Sequence, residues 1–122
     1  MAVRIEKKGG VWTVIHSRAQ ARNAMDPESA EALVAAFEEF DRDAAAKVAV
    51  LWGEGGSFCS GWDLKYGASL VENASEIHQI DYPLDDRTAI PRGPLGPTRL
   101  ELDKPVVAAV PGPAGGGGLV LA

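Results

Sequence analysis

Val48-Ala49-Val50-Leu51-Trp52, closed by Gly53 and continued by Glu54-Gly55-Gly56-Ser57-Phe58-Cys59-Ser60-Gly61-Trp62-Asp63-Leu64-Lys65, is the stretch on which the class of this protein turns. Five consecutive apolar residues ended by glycine suit a strand covered on both faces, as parallel sheets require. A second run of this kind, Pro105-Val106-Val107-Ala108-Ala109-Val110-Pro111, keeps its prolines at its ends, where a strand tolerates them. It leads into Gly112-Pro113-Ala114-Gly115-Gly116-Gly117-Gly118. Each buried strand therefore runs into a glycine-containing turn. If the strands lie side by side, both turns open at one edge of the sheet, where α/β proteins bind ligands.

Towards the N-terminus, Val3 and Ile5 alternate with charged neighbours, and Val11 to Ile15 is β-branched and aromatic. With Lys8-Gly9-Gly10 between them, the two segments read as a hairpin. A polar loop from Ser17 to Met25 follows. Asp26 is a good helix N-cap, with Pro27 at the first helical position, where its missing N–H costs nothing. Leu33, Phe37 and Phe40 recur at spacings of four and three, opposite Glu31, Glu38, Glu39 and Arg42. This pattern predicts an amphipathic helix of about four turns. A further helix is expected near Ser69 to Ile80, then a Pro/Gly connection from Pro83 to Pro97. The order β-β-α-β-α-β gives an α/β domain of parallel strands with helical crossovers.

The chain has 122 residues, enough for one domain that removes about two-thirds of its unfolded surface from water. It is 46% hydrophobic and 24% charged, with a net charge of −5. An acidic chain lacks the electrostatic footprint for nucleic acid or for anionic membranes. Small anionic ligands remain open, because a few local Lys and Arg suffice for them. The single cysteine, Cys59, forms no internal disulfide, and no apolar signal segment opens the chain, so a cytoplasmic location is expected. Leu119-Val120-Leu121-Ala122, directly after four glycines, reads as an apolar element cut short, so the domain is expected to be incomplete at its C-terminus.

Several chemistries are unsupported. The turn after Trp52 begins like a dinucleotide fingerprint, but Phe58 stands where the third glycine belongs. The second glycine tract lacks the Lys-Ser/Thr pair of a phosphate-binding loop. Ser60-Gly61 lacks the glycine that permits a nucleophile elbow. His16 and His78 are isolated and read as structural or surface residues, and no metal-ligand set is present. Cys59 reads as a small buried residue, with no histidine placed to activate it.

Two backbone N–H groups, one from each turn, could together hold a developing oxyanion. Here Asn23-Ala24-Met25, then Ser57-Phe58-Cys59-Ser60-Gly61-Trp62-Asp63-Leu64-Lys65, then Lys104-Pro105-Val106-Val107-Ala108-Ala109-Val110 with its glycine tract resemble the crotonase (enoyl-CoA hydratase/isomerase) superfamily. The resemblance runs from about Val3 to Ala122, with the elements in order, and corresponds to the N-terminal half of that family's ββα spiral core. It implies an acyl-CoA thioester ligand in the setting of fatty acid metabolism, with coenzyme A as part of the substrate and no separate cofactor. By motif position, the N–H groups of Trp62 and Gly117 would form the oxyanion hole. Ser60, Asp63, Leu64 and Lys65 would line the coenzyme side, with Asp63 fixing the turn. Arg22 and Lys65 are candidates for the coenzyme's phosphates, weighed against their being solvated surface cations.

The resemblance further implies a lyase of hydratase type and a homo-oligomer, trimeric or hexameric. Isomerisation, thioester hydrolysis or decarboxylation would use the same hole. In the family's hydratases a glutamate lies three residues beyond the oxyanion glycine; here that position is Val120, and the second glutamate would lie beyond Ala122. Neither catalytic carboxylate is present, so the chain alone is expected to be inactive. The rival expectation is a non-catalytic fragment that binds acyl-CoA weakly or acts only in assembly. Pro111 and Pro113 also depart from the pattern, since each removes a donor beside the proposed site.

Overall fold

A computed structural model describes residues 2–69 and 95–122. The N-terminal hairpin forms as its alternation predicts: β1 (Val3–Lys8) pairs antiparallel with β2 (Val11–His16) across the two-residue Gly9-Gly10 connection. β3 (Val48–Gly53) then adds parallel to β2, and β4 (Val106–Ala109) parallel to β3, giving the sheet order β1-β2-β3-β4. The two apolar runs therefore do lie side by side, and β2, β3 and β4 all end at the same edge.

Helix α1 (Pro27–Arg42) begins as its sequence dictates. The Asp26 carboxylate accepts from the Ser29 N–H at 2.8 Å, a cap worth about 1 kcal/mol. Its buried stripe, Leu33, Phe37 and Phe40, packs in one cluster with Trp12, Val14, Ala49 and Leu51 from the sheet. Phe40 meets the Trp12 ring at 5.8 Å between centroids. At the other end, Lys104 donates from Nζ to the Phe40 and Asp43 carbonyls, satisfying groups that a helix C-terminus leaves open. The lysine that opens the Lys104-Pro105 motif thus ties the start of β4 to the end of α1.

The expectation of strands covered on both faces is corrected among the described residues. In β3 the burial alternates: Ala49, Leu51 and Gly53 are buried, whereas Val48, Val50 and Trp52 are only half-buried. In β4, Val106 and Val107 are exposed. Helix α1 covers one face, so alternate residues of β3 reach the core, whereas in β4 no residue is fully buried and Ala108 packs against the cluster. Residues Leu64–Ser69 form a short α2, while the expected helix from Ser69 to Ile80 and most of the Pro83 to Pro97 connection lie outside the described residues. A 3₁₀ turn at Pro97–Arg99 precedes β4, and α3 (Gly117–Leu121) follows it. Leu119 and Val120 on α3 are 70% and 66% exposed. Among the described residues no helix is long and apolar enough to cross a membrane.

His16, the last residue of β2, carries a measurable consequence. It is 2% exposed, and neither ring nitrogen has a hydrogen-bond partner. Burial, reinforced by the nearby Arg18 charge and opposed by Asp26, lowers its pKa from 6.5 to about 4. The folded state therefore disfavours the imidazolium, so the neutral ring's contribution is complete above pH 6.5 and is lost as pH falls towards 4. Urea unfolding should show a loss of about 3 kcal/mol across that interval, and His16→Leu should flatten it. An unchanged slope in the variant would exclude His16 as the source.

Candidate functional site

Three segments leave the C-terminal ends of the parallel strands and meet at one edge. They are the loop after β2 (Ser17 to Met25), the turn after β3 (Glu54 to Asp63) and the tract after β4 (Val110 to Gly116). Main-chain hydrogen bonds lace them together. Met25 N–H donates to the Gly61 carbonyl at 2.7 Å, and Asp63 N–H to the Met25 carbonyl at 2.7 Å, so Met25 and Trp62 form a parallel bridge. On the other side, Gly115 N–H donates to the Cys59 carbonyl at 3.0 Å, and Phe58 N–H to that of Pro113 at 3.0 Å. Pro113 thus keeps the acceptor that the junction uses while lacking a donor.

This lacing orients the two amides singled out in the sequence. Because a trans peptide unit is planar, a carbonyl and the next residue's N–H point in opposite directions. The Gly61 carbonyl is committed to Met25, so the Trp62 N–H points away from Met25. Likewise the Gly116 carbonyl accepts from Leu119 N–H at 3.1 Å, which turns the Gly117 N–H out of α3. The approach is close: a Cβ built on Gly61 would lie 3.1 Å from the Gly115 oxygen and 3.5 Å from the Gly117 nitrogen. Gly61 also has φ +112°, a conformation that side chains resist. Glycine is required there on both grounds.

The remaining candidates fall into two groups. Ser60, Leu64, Lys65 and Arg22 are all exposed. Ser60 and Arg22 are brought together, with Ser60 N–H donating to the Arg22 carbonyl at 3.1 Å and Ser60 Oγ to the Ala21 carbonyl at 3.2 Å. Asp63 is engaged within the turn: its Oδ1 accepts from the N–H groups of Lys65 (2.9 Å) and Tyr66 (3.2 Å), and its Oδ2 from Arg18 (3.0 Å). The Arg18 hydrogen bond, with those amides, holds the Asp63 carboxyl below the usual carboxylate range. Trp62 is half-buried, packs on the core cluster and meets Tyr66 edge-on at 6.0 Å.

Cys59 is fully buried, and burial pushes its thiol pKa up, the opposite of what a nucleophile needs. Among the described residues no group of three or more His, Cys, Asp or Glu could hold a metal ion. His78 lies outside the described residues.

Residue-type reasoning passed over the framework that supports the edge. Asn23 is fully buried at φ +57°. Its Nδ2 donates to the carbonyls of Glu54 and Ser57, each at 2.7 Å, and its Oδ1 accepts from the Arg18 N–H at 2.7 Å. One amide therefore clamps both ends of the glycine turn to the loop after β2. Arg4 grips Glu54 through both guanidinium nitrogens at 2.7 and 2.9 Å. That contact, helped by the Ser17 hydroxyl, lowers the Glu54 pKa to about 2. The signal available was Asn23 itself, a residue type that tolerates the left-handed turn conformation, ahead of the Asp26 cap.

Residues 6–122 match a family model described as enoyl-CoA hydratase/isomerase. Among curated relatives, enoyl-CoA hydratase EchA19 of Mycobacterium tuberculosis is 32% identical over 93% of this chain and 40% of its own length. Carnitinyl-CoA dehydratase of Proteus mirabilis is 34% identical over 99% of this chain and 42% of its own length. Among solved structures, enoyl-CoA hydratase EchA1 of Mycobacterium marinum superposes with a TM-score of 0.80 at 33% identity, covering 99% of this chain and 42% of that one. The chain thus spans about two-fifths of the length of the curated relatives it matches.

Proposed function

Since the chain belongs to the enoyl-CoA hydratase/isomerase, or crotonase, family, we propose that its strand-end edge binds an acyl-CoA thioester and polarises the thioester carbonyl between the amides of Trp62 and Gly117. The observation that carries this reading is the approach of the Gly61 turn to the Gly117 nitrogen, with both peptide planes held by main-chain hydrogen bonds. In enolate chemistry, negative charge on the carbonyl oxygen grows towards the transition state, so fixed donors aimed at it stabilise that state more than the ground state. One such donor is worth about 3–4 kcal/mol of barrier.

We assign Arg22 and Lys65, both exposed at this edge, to the coenzyme's phosphates, and Ser60 and Leu64 to the wall beside it. Hydration also needs a base for water and an acid for the second proton. Val120 stands where the resemblance puts the first glutamate, and its isopropyl group transfers no proton. The function proposed for these 122 residues is therefore binding and carbonyl polarisation, with hydration of a 2-enoyl-CoA as the reaction this edge is shaped to serve.

A dienoyl-CoA thioester, whose absorption shifts to the red when its carbonyl is polarised, tests this directly. The 122-residue chain should bind it saturably with a red shift, and should not hydrate crotonyl-CoA above the buffer rate. Absence of saturable binding would sink the acyl-CoA reading. Turnover above buffer would sink the assignment of binding without catalysis.

A further inference from the structure

Arg18 lies two residues beyond β2, with a side chain only 17% exposed. Its Nη1 donates to the Ala24 carbonyl at 2.6 Å, and its Nη2 to Asp63 Oδ2 at 3.0 Å, with Asp26 Oδ2 3.5 Å away. Ala24 precedes Met25 and Asp63 follows Trp62. One planar guanidinium therefore spans the two residues that flank the Met25–Trp62 bridge. We propose that Arg18 is a positioning residue, whose fork across Ala24 and Asp63 sets the direction of the Trp62 N–H; this rests on the reading of that amide as an oxyanion donor.

The physical chain is short. The Trp62 N–H shares a peptide plane with the Gly61 carbonyl, and that carbonyl is held by Met25 N–H at 2.7 Å. Any change in the separation or twist of the Ala24-Met25 and Trp62-Asp63 segments rotates the plane and swings the donor. A two-point contact from a rigid fork resists such a twist, and a charge-assisted bond to Asp63 stiffens it further. A lysine at this position keeps the charge but supplies a single flexible point, so the two residues are not interchangeable here. The oxyanion contact is sensitive to small displacements because its benefit depends on donor direction.

The test compares the wild-type chain with Arg18→Lys and with Asp63→Asn, which retains the Oδ1 cap but weakens the ionic partner. Two readouts are taken: the backbone amide spectrum of the free chain, and the absorption of bound dienoyl-CoA. In both variants the amide signals of Met25, Trp62 and Asp63 should move while those of α1 stay in place. Dienoyl-CoA should bind within about threefold of wild type, yet its red shift should fall to less than about half. A purely structural role would instead weaken binding and shift in step, or move signals throughout the fold. An unmoved Trp62 signal, or a full red shift in both variants, overturns the inference while leaving the acyl-CoA reading intact. A wild-type chain that produces no red shift overturns both, because Arg18 then has no donor to aim.

Discussion

Asn23→Ala should cost the fold about 3–5 kcal/mol, a large part of the stability of a domain this size. The substitution removes three hydrogen bonds at once, each 2.7 Å long, and strands the Glu54 and Ser57 carbonyls and the Arg18 N–H. A buried polar group left without a partner costs about 1–3 kcal/mol. Alanine also dislikes the left-handed backbone at φ +57°. Asn23→Gly separates the two contributions, since glycine removes the hydrogen bonds but accepts the backbone. It should recover about 1 kcal/mol relative to alanine. Urea unfolding followed by circular dichroism measures both, and an alanine variant within about 1 kcal/mol of wild type would show that the clamp is dispensable.

Gly118→Ala should have a large effect of a different kind. A Cβ at Gly118 would collide with the Cys59 carbonyl oxygen and approach its carbon to 2.8 Å, so α3 cannot keep its seat. Helix α3 is one turn at the end of the described chain and adds only the partly buried Leu121 to the packing on the core cluster that α1 and the sheet form. The melting temperature should therefore shift by less than about 4 °C, whereas the red shift of bound dienoyl-CoA should disappear as the Gly117 donor swings away. Gly115→Ala is the control: its Cβ would meet only the Ser60 oxygen, at an ordinary 3.6 Å. If Gly118→Ala retains the full shift, Gly117 is not one of the donors.

The hairpin, α1 and the parallel neighbours β3 and β4 were legible because their signals are local. Alternation, an Asp-Pro helix start, a spacing of three and four, and apolar runs ended by Gly or Pro each specify a short segment without reference to the rest. Burial was less legible. Val48, Val50 and Val107 are as apolar as Ala49 and Leu51, and only the position of α1 on one face decides which of them are covered. The glycine turns could be placed by motif, but Asn23 and Arg18 could not be given their roles. A side chain that bonds carbonyls 31 and 34 residues away leaves no periodicity to detect. The role of Lys104 at the end of α1 was hidden for the same reason.

The lacing of the strand-end edge by main-chain hydrogen bonds, braced by Asn23 and Arg18 away from the lining, has a consequence for how such a pocket can diversify. On the function proposed above, carbonyl activation is written into peptide planes, whereas the shape presented to the ligand is written into side chains such as Trp62 and Leu64. The two are separately adjustable: remodelling the lining to welcome a bulkier or shorter tail leaves the electrophile's cradle undisturbed.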